Sequence, residues 1–195
     1  MASQSIASTT LVLFVFGMIV MAEETQRPLF DFTGKDSAKE WQTVNDGVMG
    51  GLSEGKFKIT DQKTLEFSGN LSLKNNGGFA SVRTKSKKLT LDSGDTIVAR
   101  VRGDGREYSL NLYLNKPRIA FSYRALVQTK KNEWIEIKVP LTRFEATSFG
   151  RVLKDARPVT PQDVNAVGWM LSDKQAGPFE MEIEWIKVER TVGAL

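Results

Sequence analysis

The amino-acid sequence predicts an all-β protein built as an antiparallel β-sandwich or barrel. Three observations predict this class: apolar and polar residues alternate with a period of two, turn-forming residues separate the alternating runs, and the helical signal is weak. A period of two places apolar side chains on one face of a strand and polar ones on the other. Short strands at this spacing are typical of sandwiches and barrels.

The alternation predicts eleven strands. In the run from 65 to 74, Leu65, Phe67 and Leu71 share one face and Glu66 and Ser68 share the other. The clear runs are 65–74, 97–102, 107–114, 119–127, 134–139 and 179–185, and the shorter ones are 29–32, 40–44, 57–60, 79–84 and 164–171. Two segments, 37–41 and 160–163, are predicted as short helical turns, the second because Thr160-Pro161 favours a helix start.

Turn residues between these runs predict how the strands pair. Gly103-Asp104-Gly105 lies between two alternating runs, and glycine readily adopts the positive φ of a tight turn. This tripeptide predicts a β-hairpin that joins the strands at 97–102 and 107–114. Antiparallel pairing follows from hairpins of this kind.

The amino-terminal segment has a composition unlike the rest of the chain. Residues 11–22 form an apolar run of 12 residues, shorter than the ~20 residues that span a bilayer. The first 22 residues carry no charged side chain, and Glu23 and Glu24 follow at once. This pattern predicts a signal peptide at 1–22, a single domain at 23–195, and export to the periplasm or the exterior after cleavage. A membrane anchor and an organelle-targeting segment are the alternatives.

The absence of cysteine and histidine excludes several kinds of chemistry. Without cysteine there are no disulfides, thiolate nucleophiles or cysteine-based zinc sites, and without histidine the commonest general base is missing. We therefore expect no catalytic residues, no metal and no cofactor. The net charge is +4, but the basic runs fall at predicted strand ends without interleaved aromatic residues, so nucleic acid is not an expected partner.

Several blocks in fixed order carry a resemblance to a known family. The blocks run from Trp41 to Ser53, from Phe67 to Leu73, from Asn75 to Arg83, from Arg100 to Tyr108, from Trp134 to Pro140 and from Gly177 to Ile186. Together they resemble the complex I intermediate-associated protein 30 family, over about residues 29–189. The resemblance implies a galactose-binding-like jelly roll, related to some carbohydrate-binding modules. It also implies a chaperone-like assembly factor for NADH:ubiquinone oxidoreductase that is not an enzyme and binds proteins, including subunits of that membrane complex.

Polar residues on the alternating strands form the first candidate site. The residues on this predicted polar sheet face are Arg83, Arg100, Arg102, Asn111, Tyr113, Arg124 and Trp134. If their strands share one sheet, they would line a groove suited to a sugar or to the carboxylates of a partner. The alternative is a solvated face on which the arginines pair with Glu180, Glu182 and Glu184 across strands.

A glycine-rich loop forms the second candidate site, with Asp46, Gly50, Gly51 and Ser53 as its binding residues. Glycine lets a backbone approach a ligand closely, but it also serves turns that need positive φ, and we favour the structural turn.

The aromatic residues divide by their phase in the alternation. Trp169 and Trp185 are in phase with apolar neighbours and are predicted in the core, whereas Trp41, Tyr113 and Trp134 are predicted as stacking positions for a sugar ring.

The resulting functional hypothesis is a non-catalytic, protein-binding module that resembles an assembly factor for NADH:ubiquinone oxidoreductase. The alternative is an exported carbohydrate-binding module of the galactose-binding-like class.

Overall fold

The computed structural model describes residues 23–115 and 121–192, so the signal peptide predicted at 1–22 lies outside the described residues. The strands are β1 Glu23–Phe30, β2 Trp41–Thr43, β3 Glu54–Ile59, β4 Leu65–Leu71, β5 Ala80–Thr84, β6 Asp95–Gly103, β7 Glu107–Leu114, β8 Phe121–Gln128, β9 Trp134–Pro140, β10 Glu145–Ser148, β11 Arg151–Val152, β12 Val164–Leu171 and β13 Gly177–Val192. Short 3₁₀ helices span Ser37–Glu40, Asp46–Met49, Lys74–Asn76, Leu141–Arg143 and Pro161–Asp163. Within residues 23–115 and 121–192, no helix has the length and apolarity needed to cross a membrane.

The strands form two antiparallel sheets. One has six strands in the order β3-β4-β13-β6-β9, with β1 also paired to β13. The other has seven strands in the order β11-β10-β8-β7-β12-β5-β2. The predicted all-β antiparallel sandwich is confirmed, and each of the eleven predicted segments overlaps a strand.

The long strand β13 organises the six-stranded sheet. Its first half pairs with β4, its second half pairs with β1 on the same side, and β6 lies along its other side. The pairing brings together residues that are far apart in the chain: Gln26 donates a hydrogen bond to Glu189 at 3.2 Å.

The core lies between the two sheets and is made by the inward-facing half of each alternation. Trp169, Tyr108 and Phe67 are its largest fully buried side chains, which confirms Trp169 as a core residue. Trp41 is also buried, with its ring 5.2 Å from Phe30, so its predicted role as an exposed stacking position is wrong. The short strand β2 is too brief for its sequence phase to indicate which side faces the core.

Trp185 does not lie in the core, because a bulge in β13 changes the phase of the strand. The register with β6 shifts between Ile183 and Trp185, so Ile183 and Ile186 are both fully buried while Trp185 is half-buried. The ammonium of Lys187 lies 4.1 Å from the centre of the Trp185 ring. An extra residue in one strand breaks the period of two on which the prediction depended.

The segment Gly103-Asp104-Gly105 is a corner between the sheets rather than a hairpin. β6 belongs to the six-stranded sheet and β7 to the seven-stranded one, so the predicted pairing of the two is wrong. The positive φ is present, at 94° for Gly105. The Asp104 carboxylate holds the corner by accepting hydrogen bonds from the Tyr108 hydroxyl at 3.1 Å and the Glu180 backbone N–H at 3.0 Å.

Strands β10 and β11 were not predicted from the sequence. They are short, and their hairpin turn is Phe149-Gly150, with φ values of 48° and 72°. A phenylalanine is unusual at a position that requires positive φ, so the turn carries none of the usual sequence signals.

The corner at Gly105 gives the first testable prediction. We expect Gly105→Ala to lower the free energy of unfolding by about 1 kcal/mol or more, because the left-handed region is unfavourable for a residue with a Cβ atom. Steric collision is not the cause, since the nearest atom to an added Cβ lies 3.6 Å away. The matched control is Gly94→Ala, at an exposed turn where an added Cβ meets nothing within 4 Å. Equal denaturation midpoints for the two variants would contradict the prediction.

Candidate functional site

The residues of the predicted polar sheet face lie on two different sheets. Arg83, Asn111, Tyr113 and Arg124 belong to the seven-stranded sheet, whereas Arg100, Arg102 and Trp134 belong to the six-stranded sheet. Because the sheets cover each other with their inner faces, these two groups face away from each other. The structure therefore does not bring the seven residues into one groove.

On the six-stranded sheet, the arginines are already paired with carboxylates. Arg100 forms an ion pair with Glu184 at 2.6 Å, and Arg102 forms one with Glu182. Both guanidinium groups also lie over the Trp134 ring, at 5.7 Å and 4.9 Å from its centre. Arg100 and Arg102 are therefore paired with glutamates across strands, which is the alternative that the sequence left open.

On the seven-stranded sheet, the outward residues form a row across four strands. Arg83 of β5 lies opposite Gly168 of β12, Gly168 lies opposite Asn111 of β7, and Asn111 lies opposite Arg124 of β8. A Cβ atom at Gly168 would lie 2.5 Å from that of Arg83. The absence of a side chain at Gly168 therefore lets the arginine fold over the centre of the sheet. We call Arg83, Asn111, Tyr113 and Arg124 the donor cluster.

The donor cluster contains buried polar atoms without a hydrogen-bond partner. These atoms are Asn111 Nδ2, Tyr113 Oη and Arg124 Nε, and no ion pair joins Arg83 or Arg124 to a carboxylate within the described ranges. The Arg83 guanidinium lies 5.1 Å from the centre of the Tyr113 ring. A buried polar group without a partner costs roughly 1–3 kcal/mol, so such a group is a candidate contact for a ligand.

The protonation state of the cluster decides which ligands suit it. Burial raises the pKa of the Tyr113 hydroxyl, whereas the charge of the Arg83 guanidinium opposes this rise. The side chains of Asn111 and Arg83 also lie close enough to the hydroxyl to lower its pKa through weak hydrogen bonding, although neither contact has the geometry of a full hydrogen bond. The hydroxyl therefore keeps its proton at neutral pH. Guanidinium groups and an amide nitrogen also donate, so the cluster suits an acceptor such as a carboxylate or a carbonyl oxygen.

The glycine-rich loop is held by the buried carboxylate of Asp46. This carboxylate accepts hydrogen bonds from the Ser53 backbone N–H at 2.8 Å, the Ser53 hydroxyl at 2.6 Å and the Gly78 backbone N–H at 2.6 Å. Gly50 has a φ of 86°, and a Cβ atom at Gly51 would collide with the Asp46 carboxyl carbon at 2.3 Å. The four residues thus have structural roles in joining the β2–β3 loop to the β4–β5 connection.

The hydrogen bonds to Asp46 outweigh the effect of its burial on its pKa. Burial alone would raise the pKa of this carboxyl, but the hydrogen bonds from Ser53, Gly78 and Phe79 lower it below its usual value of 3.8. The fixed loop carries three apolar side chains that point into solvent, Val48, Met49 and Leu52.

In the part of the chain that the structure describes, no group of three or more carboxylates could hold a metal ion. Leu126 and Arg143, which line a cleft beside Arg124, were not singled out from the sequence. The sequence contained a signal for Leu126, because it is an apolar residue on the polar side of its alternating run. In the structure its side chain is 54% exposed.

Comparison with known proteins identifies relatives of this chain. A family model described as complex I intermediate-associated protein 30 matches residues 30–183. The mitochondrial complex I intermediate-associated protein 30 of Mus musculus is 27% identical over 186 residues, covering 85% of this chain and 56% of the relative. The mitochondrial protein of the same name from Drosophila melanogaster is 25% identical, covering 83% of this chain and 62% of the relative. The chain thus spans about half to two thirds of the length of these relatives.

Solved structures with the same fold include carbohydrate-binding modules. The family 11 module of a cellulosomal cellulase from Clostridium thermocellum has a TM-score of 0.65 and 13% identity, with coverage of 88% of this chain and 96% of the module. A complex of the family 11 module from the same organism with a mixed-linked tetrasaccharide also has a TM-score of 0.65, at 15% identity and with coverage of 87% and 96%. These likenesses confirm the jelly-roll sandwich and, at such low identity, concern the fold alone.

The relatives overturn the expectation of export. They are named as mitochondrial proteins, which contradicts a periplasmic or secreted location. The prediction of export depended on an apolar, uncharged run at residues 11–22, a local compositional pattern that says nothing about the domain that follows.

The lowered pKa of Asp46 gives a prediction about stability and pH. We expect Asp46→Asn to reduce the free energy of unfolding at neutral pH by about 1–3 kcal/mol, because an amide cannot accept all the hydrogen bonds that the carboxylate accepts. A carboxylate with a lowered folded pKa stabilises the protein above its unfolded pKa of about 3.9, and this contribution is lost as pH falls through the folded pKa. The difference between the two proteins should therefore shrink below about pH 4.

Urea titrations from neutral to acid pH would measure this difference, with Asp155→Asn, at an exposed turn, as the matched control. A difference that stays constant with pH would show that ionisation of Asp46 does not stabilise the fold.

Proposed function

Because the chain belongs to the complex I intermediate-associated protein 30 family, we propose that it is a non-catalytic, protein-binding module that acts in the assembly of NADH:ubiquinone oxidoreductase. Its relatives carry this association in their names, and the chain matches the family model over most of its length. The proposed site of action is the mitochondrion, the compartment named for the relatives.

The observation that carries the proposal is the contrast between the two outer faces of the sandwich. Arg100 and Arg102 are satisfied within the chain by Glu184 and Glu182, whereas the donor cluster retains unpartnered polar atoms. Donors of this kind gain most from acceptors that a partner supplies, because charge-assisted hydrogen bonds are about twice as strong as neutral ones. The proposed partner surface is therefore the outer face of the seven-stranded sheet around Arg83 and Arg124.

Carbohydrate binding is the competing hypothesis, and the fold likeness is what suggests it. The best candidate ring for stacking on a sugar was Trp134, and two guanidinium groups lie over that ring. Of the other predicted stacking positions, Trp41 is buried in the core. The chemistry of the donor cluster suits carboxylates, and a neutral sugar offers no negative charge to its two arginines.

The test of the proposal compares the two faces directly. We expect Arg83→Ala combined with Arg124→Ala to weaken the capture of NADH:ubiquinone oxidoreductase subunits by about tenfold, because two charge-assisted contacts are lost. Cells that lack the endogenous protein and carry this double variant should accumulate less assembled complex on native gels. The matched control is Arg100→Ala, which removes a guanidinium from the opposite face.

Two results would contradict the proposal. One is full assembly with the Arg83→Ala, Arg124→Ala variant when folding is confirmed by circular dichroism. The other is saturable binding of a mixed-linked glucan in titration calorimetry that Trp134→Ala abolishes and the two arginine changes leave intact. The second result would establish the carbohydrate hypothesis instead.

A further inference from the structure

The outer edge of β8 is only partly covered. Strand β10 pairs with the first half of β8, from Phe121 to Arg124. Beyond Arg124, residues 125–128 pair with β7 on one side, and no described strand pairs with them on the other. This open stretch of four residues is ~13 Å long. An unpaired strand edge carries backbone donors and acceptors that another extended segment can use.

A cleft lies between this open edge and β9, the last strand of the six-stranded sheet. The cleft has a volume of about 590 Å³. Ala125 and Val127 of β8 and Ile137 and Val139 of β9 form its apolar floor. Ile137 faces the core but is only half-buried, because no element of the described chain covers it from this side. The volume is within the range of ligand-binding pockets.

The mouth of the cleft is positively charged. Arg124 and Arg143 line it, and neither forms an ion pair with a carboxylate of the described residues. The ammonium of Lys138, which also lines the cleft, is paired with Glu189 at 2.7 Å. Glu145, which lies opposite Arg124 across the β8–β10 pair, is the one acidic residue in the lining, so two guanidinium groups share the mouth with one carboxylate. The unpaired charge at the mouth therefore favours an anionic group.

Exposed Leu126 completes the lining. Its strand neighbours on the same face, Arg124 and Gln128, are polar, so Leu126 is an apolar residue on a polar face, and its side chain is 54% exposed. An apolar side chain at this position gives a bound segment a hydrophobic contact at the rim of the cleft, while the floor gives it one inside.

We propose that this cleft binds an extended segment of a partner protein by strand addition to residues 125–128. The segment would present apolar residues at alternate positions, so that one enters the cleft, and an acidic residue that pairs with Arg124 and Arg143. Main-chain hydrogen bonds supply affinity in this mode of recognition, and pockets for alternate side chains supply specificity. The inference rests on the proposed function, since it names the chemistry of the partner of a protein-binding module.

The experiment selects binders from a library of random peptides of about ten residues displayed on phage, with the whole protein as bait. We expect enriched peptides to alternate apolar residues and to contain aspartate or glutamate. Leu126→Ser combined with Arg143→Glu should weaken the binding of a selected synthetic peptide by about tenfold or more, because a charge-assisted contact and an apolar contact are lost. N-methylation of the peptide at alternate residues should weaken its binding to a similar degree, because the methyl groups replace main-chain N–H donors.

The matched control variant is Val48→Ser combined with Lys88→Glu. It makes the same two chemical changes at exposed positions in the β2–β3 loop and the β5–β6 connection, away from the cleft. Hydrogen exchange on the complex should show added protection at residues 125–128. Absence of any enriched peptide, equal loss of binding in the control, or protection confined to another segment would overturn the inference. Self-association in sedimentation that Leu126→Ser abolishes would also overturn it, in favour of a second copy of the chain.

The outcomes distinguish this inference from the proposed function. Selected peptides that bind the cleft while Leu126→Ser, Arg143→Glu supports full assembly of NADH:ubiquinone oxidoreductase would uphold the peptide site and separate it from assembly. If no peptide binds but the Arg83→Ala, Arg124→Ala variant impairs assembly, the proposed function is supported and the cleft is not a peptide-binding site.

Discussion

The mutual burial of the inner faces of the two sheets is the interaction on which the rest of the structure depends. Most strands give alternate side chains to this core, and Phe67, Tyr108 and Trp169 are fully buried there. Only outward positions and strand edges are then available for recognition. The donor cluster occupies outward positions, and the cleft between β8 and β9 lies where the two faces do not fully cover each other. The positions of both surfaces therefore follow from the packing of the sheets: the donor cluster lies on the outer face, and the cleft lies at an edge where the core is incompletely covered.

The period of two made most of the strands predictable, because it reflects this burial directly. It failed where a local feature changed the phase or where the strand was too short to have one. A bulge after Ile183 turned Trp185 outward, and the three-residue strand β2 buried Trp41. The corner at Gly105 has the positive φ that the sequence predicted, yet it joins two sheets instead of two neighbouring strands. Turn chemistry is local, whereas the choice of partner strand depends on packing far along the chain.

The candidate site was predictable residue by residue but not as an arrangement. The alternation identified Arg83, Arg100, Asn111 and Arg124 as outward residues, and none of them belongs to the hydrophobic core, although Asn111 is only 1% exposed. Which arginines meet the glutamates of β13 depends on strand order, because β6 lies beside β13 whereas β5, β7 and β8 do not pair with it. A single sequence does not contain this order, so paired and unpaired guanidinium groups look the same in it. The cleft escaped prediction for a related reason, since it exists only where one strand ends beside another.

The position of β13 has a consequence for how the chain folds as it is made. This strand is the last of the described strands, yet it lies between β4 and β6 and also pairs with β1. A ribosome releases the chain from its amino terminus, so those three strands emerge before the strand that joins them. Until residue 177 and those after it are free, β4 and β6 each present an unpaired edge toward the place that β13 will fill. Such edges invite pairing with other chains. Closure of the six-stranded sheet is therefore a late, long-range event, and the nascent chain benefits from being kept apart from its neighbours until it occurs.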